Sequence, residues 1–426
     1  MEIQIVSEEI IKPSSPTPSH LRTHKLCLLE QLVPLHVHFP FIFFYSPATK
    51  DPIETSAGLK HSLSQTLTHY YPFAGRLKDR SFIDCDDSGA TFIEAQVAGN
   101  MSEVLKQPEM DLLEQLLPFK LDEKLSTLVV VQVSYFGCGG LAIGVCFSHV
   151  VADATAAANF VNNWAAVASF GSINVEDLIF DCTSIFPPQD VLGLTDSLCE
   201  KHVSYEEVIT KRFMFDATKI AALREEIGNV GSLDCPTRVE AVSTLILSAV
   251  IAAAARETNE LTSSFLAASI PVNLRKRMNP PLPEECIGNI CTTTTVMCPM
   301  NQRIDYKSLA KKVHESIRMM DDKFVRNVYG GGEFLNFLKN AVEGLSKNRL
   351  FWNSSWCKLP LYEADFGWGK PKWIATILRD DKVAMLLDTC DGEGIEVWMG
   401  LSKEDMAKFE QDPGILAYSS VSLSPF

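Results

Sequence analysis

The chain has 426 residues, 46% hydrophobic and 21% charged, an ordinary globular mixture that excludes disorder of the whole. That length allows two packed domains or one very large one. A net charge of −15 excludes a broad nucleic-acid surface, because neutralising phosphates needs a basic face.

Ile3–Ile11 alternates as a first strand would, and Pro13, Pro16 and Pro18 close it. Glu2, Glu8 and Glu9 leave this stretch without an apolar core, so it does not read as a secretory signal. Phe39–Tyr45 is aromatic and apolar, as in a buried strand, and Thr55–Leu67 has helical spacing up to the break Tyr71-Pro72-Phe73-Ala74-Gly75. Leu128–Phe136 and Leu141–Ser148 flank Gly137-Cys138-Gly139-Gly140, which predicts a hairpin. A helix is predicted from Asp153 to Ser169, with Asp153 as its cap.

The pattern then becomes irregular and includes Pro187-Pro188. A crossover is expected over 186–215, joining an N-terminal domain, 1–185, to a C-terminal domain, 216–426. In the second half Ala217–Ile227 and Arg238–Arg256 read as helices. Phe265–Val272, Ile290–Met297, Val383–Asp388 and Ile395–Leu401 read as strands, the last two joined by the turn Asp391-Gly392-Glu393-Gly394. Both halves mix strands and helices without strict βαβ alternation, so the fold class is mixed α/β.

Ala241–Ala255 is the longest uncharged apolar stretch, short of the ~18 residues that a membrane span needs. A buried helix and a cytoplasmic location are expected. The twelve cysteines show neither C-x-x-C nor zinc-finger spacing, and are expected to be reduced and mostly buried.

Three constellations carry chemistry. In Ser148-His149-Val150-Val151-Ala152-Asp153, a histidine at a strand end can project into a cleft as a proton acceptor. Asp153 either orients that ring or ties the loop down. Ser148 is a poor nucleophile for His149, since strand neighbours point to opposite faces, and no G-x-S-x-G elbow occurs. In Asp365-Phe366-Gly367-Trp368-Gly369, two glycines around a tryptophan suggest a tight loop that pins a large ring. In Val272–Arg277 a strand ends in two arginines two apart, one of which could face inward as an ion-pair partner.

With Tyr71–Leu77 and Cys138-Gly139-Gly140, these pieces stand in the order of the plant BAHD acyltransferases, which the chain resembles over nearly its whole length. Pro13–Pro18, Arg277–Pro283 and Ser355–Lys370 are similar to the alkaloid-acetylating branch of vinorine synthase-like enzymes. The resemblance implies two chloramphenicol-acetyltransferase-like domains, each a mixed β-sheet flanked by helices, with a solvent channel between them. It implies His149 as general base, supported by Asp153, Asp365 and Arg275, with Arg275 rather than Arg277 pairing Asp153. Phe366, Gly367, Trp368 and Gly369 would shape the channel and its CoA side.

Acyl transfer to a hydroxyl of a plant alkaloid or terpenoid follows as the expected activity. Acyl-CoA, for preference acetyl-CoA, is the co-substrate, with no permanently bound cofactor and no metal. A monomer is expected, with no membrane or nucleic-acid partner. Transfer of malonyl, benzoyl or hydroxycinnamoyl groups, N-acylation, and a non-catalytic binding homologue stay open. Glu285-Cys286-Ile287-Gly288-Asn289-Ile290 lacks the aromatic pair of the anthocyanin-acylating branch. Lys358 stands where hydroxycinnamoyl transferases carry an arginine for an acceptor carboxylate, which argues against a shikimate-like acceptor.

Overall fold

Runs of β-branched and aromatic residues build two large sheets. A computed structural model describes residues 2–47, 51–118, 127–172, 178–191, 208–229, 235–255, 265–300, 304–330, 333–334, 336 and 349–421. The first sheet runs in the order β1 (Glu2–Ile11), β6 (Ala90–Ala98), β7 (Val129–Phe136), β8 (Leu141–Ser148), β3 (His38–Tyr45) and β13 (Trp373–Ala375). Only β6 and β7 pair in parallel. The predicted hairpin is β7–β8, and Gly139 turns it with φ 83°, a left-handed angle that glycine adopts without strain. Every residue of β8 is buried, as expected of a strand with a partner on each side and covered faces.

The helices Pro52–His69 and Ala154–Phe170 pack against each other on this sheet. Asp51 and Asp153 cap them, each accepting a first-turn backbone N–H. A small sheet joins β2 (Thr23–Lys25), β5 (Phe82–Asp84) and β4 (Arg76–Lys78).

The second sheet runs β11 (Cys291–Pro299), β10 (Phe265–Asn273), β12 (Arg349–Ser355), β14 (Val383–Asp388), β15 (Ile395–Ser402), β9 (Val208–Phe215) and β16 (Ser420–Val421). The helices Ala217–Ile227, Arg238–Ala255 and Tyr306–Met319 contribute to its apolar core. The apolar face of Arg238–Ala255, from Ala241 to Ala254, is buried there, and no helix among the described residues is long and apolar enough to cross a membrane.

Two segments lie elsewhere than their sequence suggested. Val208–Phe215 falls within the expected crossover, yet it forms β9 and pairs with β15 and β16. Of that crossover, 192–207 lies outside the described residues. The second is β13, which comes from the C-terminal half but adds to the edge of the first sheet, pairing Trp373, Ile374 and Ala375 with Phe44, Phe43 and Ile42. Between β12 and β14 the chain therefore crosses to the other half and returns. Trp356, Leu361, Phe366 and Trp373 consequently belong to the N-terminal core.

Among the described residues eleven cysteines are free thiols and six of them are buried.

Candidate active site

The last residue of β8, Ser148, pairs with His38 of β3, and the chain turns at His149. The backbone N–H of His149 donates to the carbonyl of Val37 at 2.9 Å, so the strand pair anchors the base of the side chain. Its half-buried ring packs 4.8 Å from that of Phe39. Trp356 completes an apolar wall, 6.1 Å from Phe39 and edge-on to Phe41 at 4.7 Å. Sequence reading took Phe39–Tyr45 only as buried strand; the period-two alternation that puts Phe39 and Phe41 on one face was the available signal.

Burial lowers the His149 pKa below its ordinary value near 6.5, against the opposing pull of its own carbonyl, of Asp153 and of the Ala152 carbonyl. The imidazole is therefore neutral at pH 7 and free to take a proton. Nδ1 is buried without a hydrogen-bond partner. Burial also lowers the pKa of the neighbouring His38. The Ser148 hydroxyl is buried and makes no hydrogen bond, consistent with its exclusion as a nucleophile.

Asp153 does not bond the ring. Its Oδ1 accepts from the Ala156 N–H at 2.8 Å and from Arg275 Nη2 at 3.2 Å. Its Oδ2 accepts from Arg275 Nη1 at 2.7 Å and from the Ile290 N–H at 2.9 Å. Asp153 thus ties the His149 turn to the C-terminal half, and of the two roles open to it the structure shows the tie.

Arg275 is the ion-pair partner, as expected. The expected strand end is corrected: β10 stops at Asn273, and Arg275–Arg277 form a short 3₁₀ turn. Arg275 is fully buried, whereas Arg277 donates to the carbonyls of Ile317 and Met320. All five Arg275 N–H groups have acceptors: two on Asp153, the others on Cys286 O at 2.9 Å, Gly288 O at 3.3 Å and Asn273 Oδ1 at 3.3 Å. Burial alone would lower the guanidinium pKa, but the charge and hydrogen bonds of Asp153 hold it above its ordinary value. The Asn273 side chain and the Ile290 amide are parts of this network that sequence reasoning missed. No local pattern marks them, because each meets its partner only through the tertiary fold.

Asp365 lies away from the His149 site, in a loop that its own side chain shapes. Its Oδ1 accepts from the N–H groups of Gly367 and Gly369, both at 2.8 Å, and its carbonyl accepts from Ser169 Oγ at 2.6 Å. Ser169 lies sixteen residues along the helix from its Asp153 cap, which at 1.5 Å per residue separates them by about 24 Å. Gly367 and Gly369 hold φ of 94° and 106°, angles that favour glycine. Phe366 packs edge-on to Trp164 at 4.8 Å and stacks on Trp368 at 5.5 Å, while Tyr45 donates to the Ala364 carbonyl at 2.9 Å. The carboxylate is occupied in shaping its own loop. Lys358 is exposed, and its backbone N–H donates to Asp388.

A family model described as the Transferase family matches residues 1–416. The chain belongs to this family, the BAHD acyltransferases. It is 52% identical to epi-neemfruitin B synthase L1AT of Melia azedarach, with both chains fully covered. It is 50% identical to limonoid 1-O-acetyltransferase of Citrus sinensis, again over both full lengths. Vinorine synthase shares 35% identity and superposes with a TM-score of 0.85, covering 99% of this chain and 100% of that one. The chain is an acyltransferase. Among the described residues no cluster of three or more histidine, cysteine, aspartate or glutamate side chains could hold a metal ion.

Proposed function

We propose that the chain transfers an acetyl group from acetyl-CoA to a hydroxyl of a polycyclic terpenoid alcohol, with His149 as general base. The observation that carries this reading is the neutral, half-buried His149 imidazole set against the apolar ring of Phe39, which Trp356 backs at 6.1 Å. Such a wall suits a hydrocarbon scaffold better than a sugar or a carboxylate, because it buries apolar area and supplies no charge. The limonoid O-acetyltransferase name of the 50% identical relative supports the same acceptor class.

The steps balance. His149 takes the hydroxyl proton as the acceptor oxygen attacks the thioester carbonyl, and a C–O bond forms. The tetrahedral oxyanion collapses, the C–S bond breaks, and CoA leaves with the electron pair. The proton held by His149 passes to that thiolate, returning the neutral base. General-base assistance of this kind contributes about 10²–10⁴-fold, and holding both substrates in place contributes more.

The test is release of free CoA thiol by the purified chain, with acetyl-CoA and a panel of limonoid, other terpenoid and alkaloid alcohols. Acceptor-dependent release with a terpenoid alcohol, reduced about 10³-fold in His149→Ala, is expected. Preference for malonyl-, benzoyl- or hydroxycinnamoyl-CoA, or for an amine, would overturn the substrate assignment. No release with any pair, from folded protein that binds them, would leave a binding homologue instead.

A further inference from the structure

We infer that Asn273 is a positioning residue for the His149 site, bracing the N-terminal half against the C-terminal half beside the Asp153–Arg275 pair. The inference rests on the reading of His149 as general base.

Asn273 is the last residue of β10, and its side chain is solvent-exposed. Exposed amides usually spend their hydrogen bonds on water, but this one makes three to protein. Its Oδ1 accepts from the Arg275 backbone N–H at 3.0 Å and from Arg275 Nη1 at 3.3 Å. Its Nδ2 donates to Thr155 Oγ1 at 3.0 Å. Thr155 is buried in the first turn of the helix that Asp153 caps. One amide therefore grips both supports of Asp153: the guanidinium that holds its carboxylate and the helix turn that carries its backbone.

This bracket has a specific geometric effect. His149 lies four residues before Asp153, on a turn whose far end Asp153 fixes. Arg275 belongs to the other half of the chain, where Cys286 O and Gly288 O also hold its guanidinium. Asn273 adds a direct side-chain tie from the Arg275 turn to the helix. Because it is exposed, water can replace its hydrogen bonds, so its loss should disturb alignment far more than folding.

Only a side chain with an acceptor facing Arg275 and a polar group facing Thr155 can serve. Leucine matches the volume and offers neither. Aspartate keeps the acceptor, and the Thr155 hydroxyl can reverse its direction to donate.

The experiment measures kcat and both KM values, with acetyl-CoA and an accepted alcohol, for Asn273→Leu, Asn273→Asp, Thr155→Val and the Asn273→Leu/Thr155→Val double variant, with His149→Ala as control. Misalignment by a fraction of an ångström predicts that Asn273→Leu loses about tenfold in kcat, with KM values within about twofold and an unchanged melting curve. Asn273→Asp should recover to within about threefold of the parent, and the double variant should be no worse than Asn273→Leu, as for two halves of one contact. Unchanged kcat in Asn273→Leu, a loss that follows melting temperature or KM alone, or full additivity with Thr155→Val would overturn the inference. Full activity in His149→Ala would instead strike the base assignment, whatever the Asn273 variants do.

Discussion

Asp153 and Arg275 stand 122 positions apart in the chain and meet as a bidentate pair at 2.7 and 3.2 Å. Both are buried, so their charges are balanced by each other and not by water. Arg275→Met should strand the carboxylate, with a loss of roughly 3–5 kcal/mol in urea unfolding. Arg275→Lys should recover little, because one ammonium cannot satisfy acceptors laid out for a planar fork. Adding Asp153→Asn to Arg275→Met should restore part of the loss, since the stranded charge is gone while asparagine still caps the helix. An Arg275→Met protein within about 1 kcal/mol of the parent would mean that the pair is not what holds the turn.

The pH dependence follows from the direction of the His149 shift. Burial depresses its folded pKa below the ordinary value near 6.5. The unfolded chain therefore binds the extra proton first as pH falls. The stability contributed by neutral His149 is complete above about pH 6.5 and is lost as pH falls through the lower folded value. Activity should follow the same group, with kcat/KM flat near neutrality and an acid limb below pH 6.5. Asp153 faces His149 from the capped helix, His38 from β3, and Arg275 neutralises the Asp153 charge. An acid limb centred above 7 would show that a different group is titrating.

Much of this site could be read before any fold was known. His149 ends an apolar strand and Asp153 opens an apolar helix, so each was marked by local periodicity and capping chemistry. What stayed hidden depends on distant partners. Ile290 donates to Asp153 across 137 positions, and nothing near Ile290 announces it. Strand β13 is three residues long, too short for any period, and exists because β3 supplies its pairing partners Ile42, Phe43 and Phe44. Strand β9 carries Lys211 and Arg212 at its centre, so no apolar run marks it. The structure accommodates Arg212 by an ion pair with Glu396 at 3.1 Å and by the indoles of Trp373 and Trp398, 5.0 and 5.5 Å from the guanidinium. A buried cation with aromatic faces around it is legible only once three separate segments are assembled.

Gly288 gives a prediction on the opposite side of the pair. Its φ is 135°, and an added Cβ would lie 2.7 Å from the Glu30 Oε1. Its carbonyl accepts both from Arg275 Nη2 at 3.3 Å and from the Asp153 N–H at 3.2 Å. Gly288→Ala must therefore strain the backbone and push the loop away from the groups that it serves. A stability loss of about 1–3 kcal/mol is expected, with a fall in kcat, read by thermal melting and steady-state kinetics. Unchanged melting would show that Glu30 moves aside freely and that the loop bears no strain.

Asp365 separates loop shaping from catalysis. Its Oδ1 alone receives the N–H groups of Gly367 and Gly369, and neither contact requires a negative charge. Asp365→Asn keeps a carbonyl oxygen in that position and should retain most stability and turnover. Asp365→Ala leaves both amides without their acceptor and lets Phe366 and Trp368 shift from Trp164 and Tyr45, at about 1–3 kcal/mol in stability. Its pH–rate profile should keep the acid limb of the parent, because its loop meets the helix at Ser169, about 24 Å by helix rise from the Asp153 cap, too far for Asp365 to share a proton with His149. An Asp365→Asn protein that folds as the parent does but has lost turnover would return Asp365 to the chemistry and refute its role as a brace for the loop.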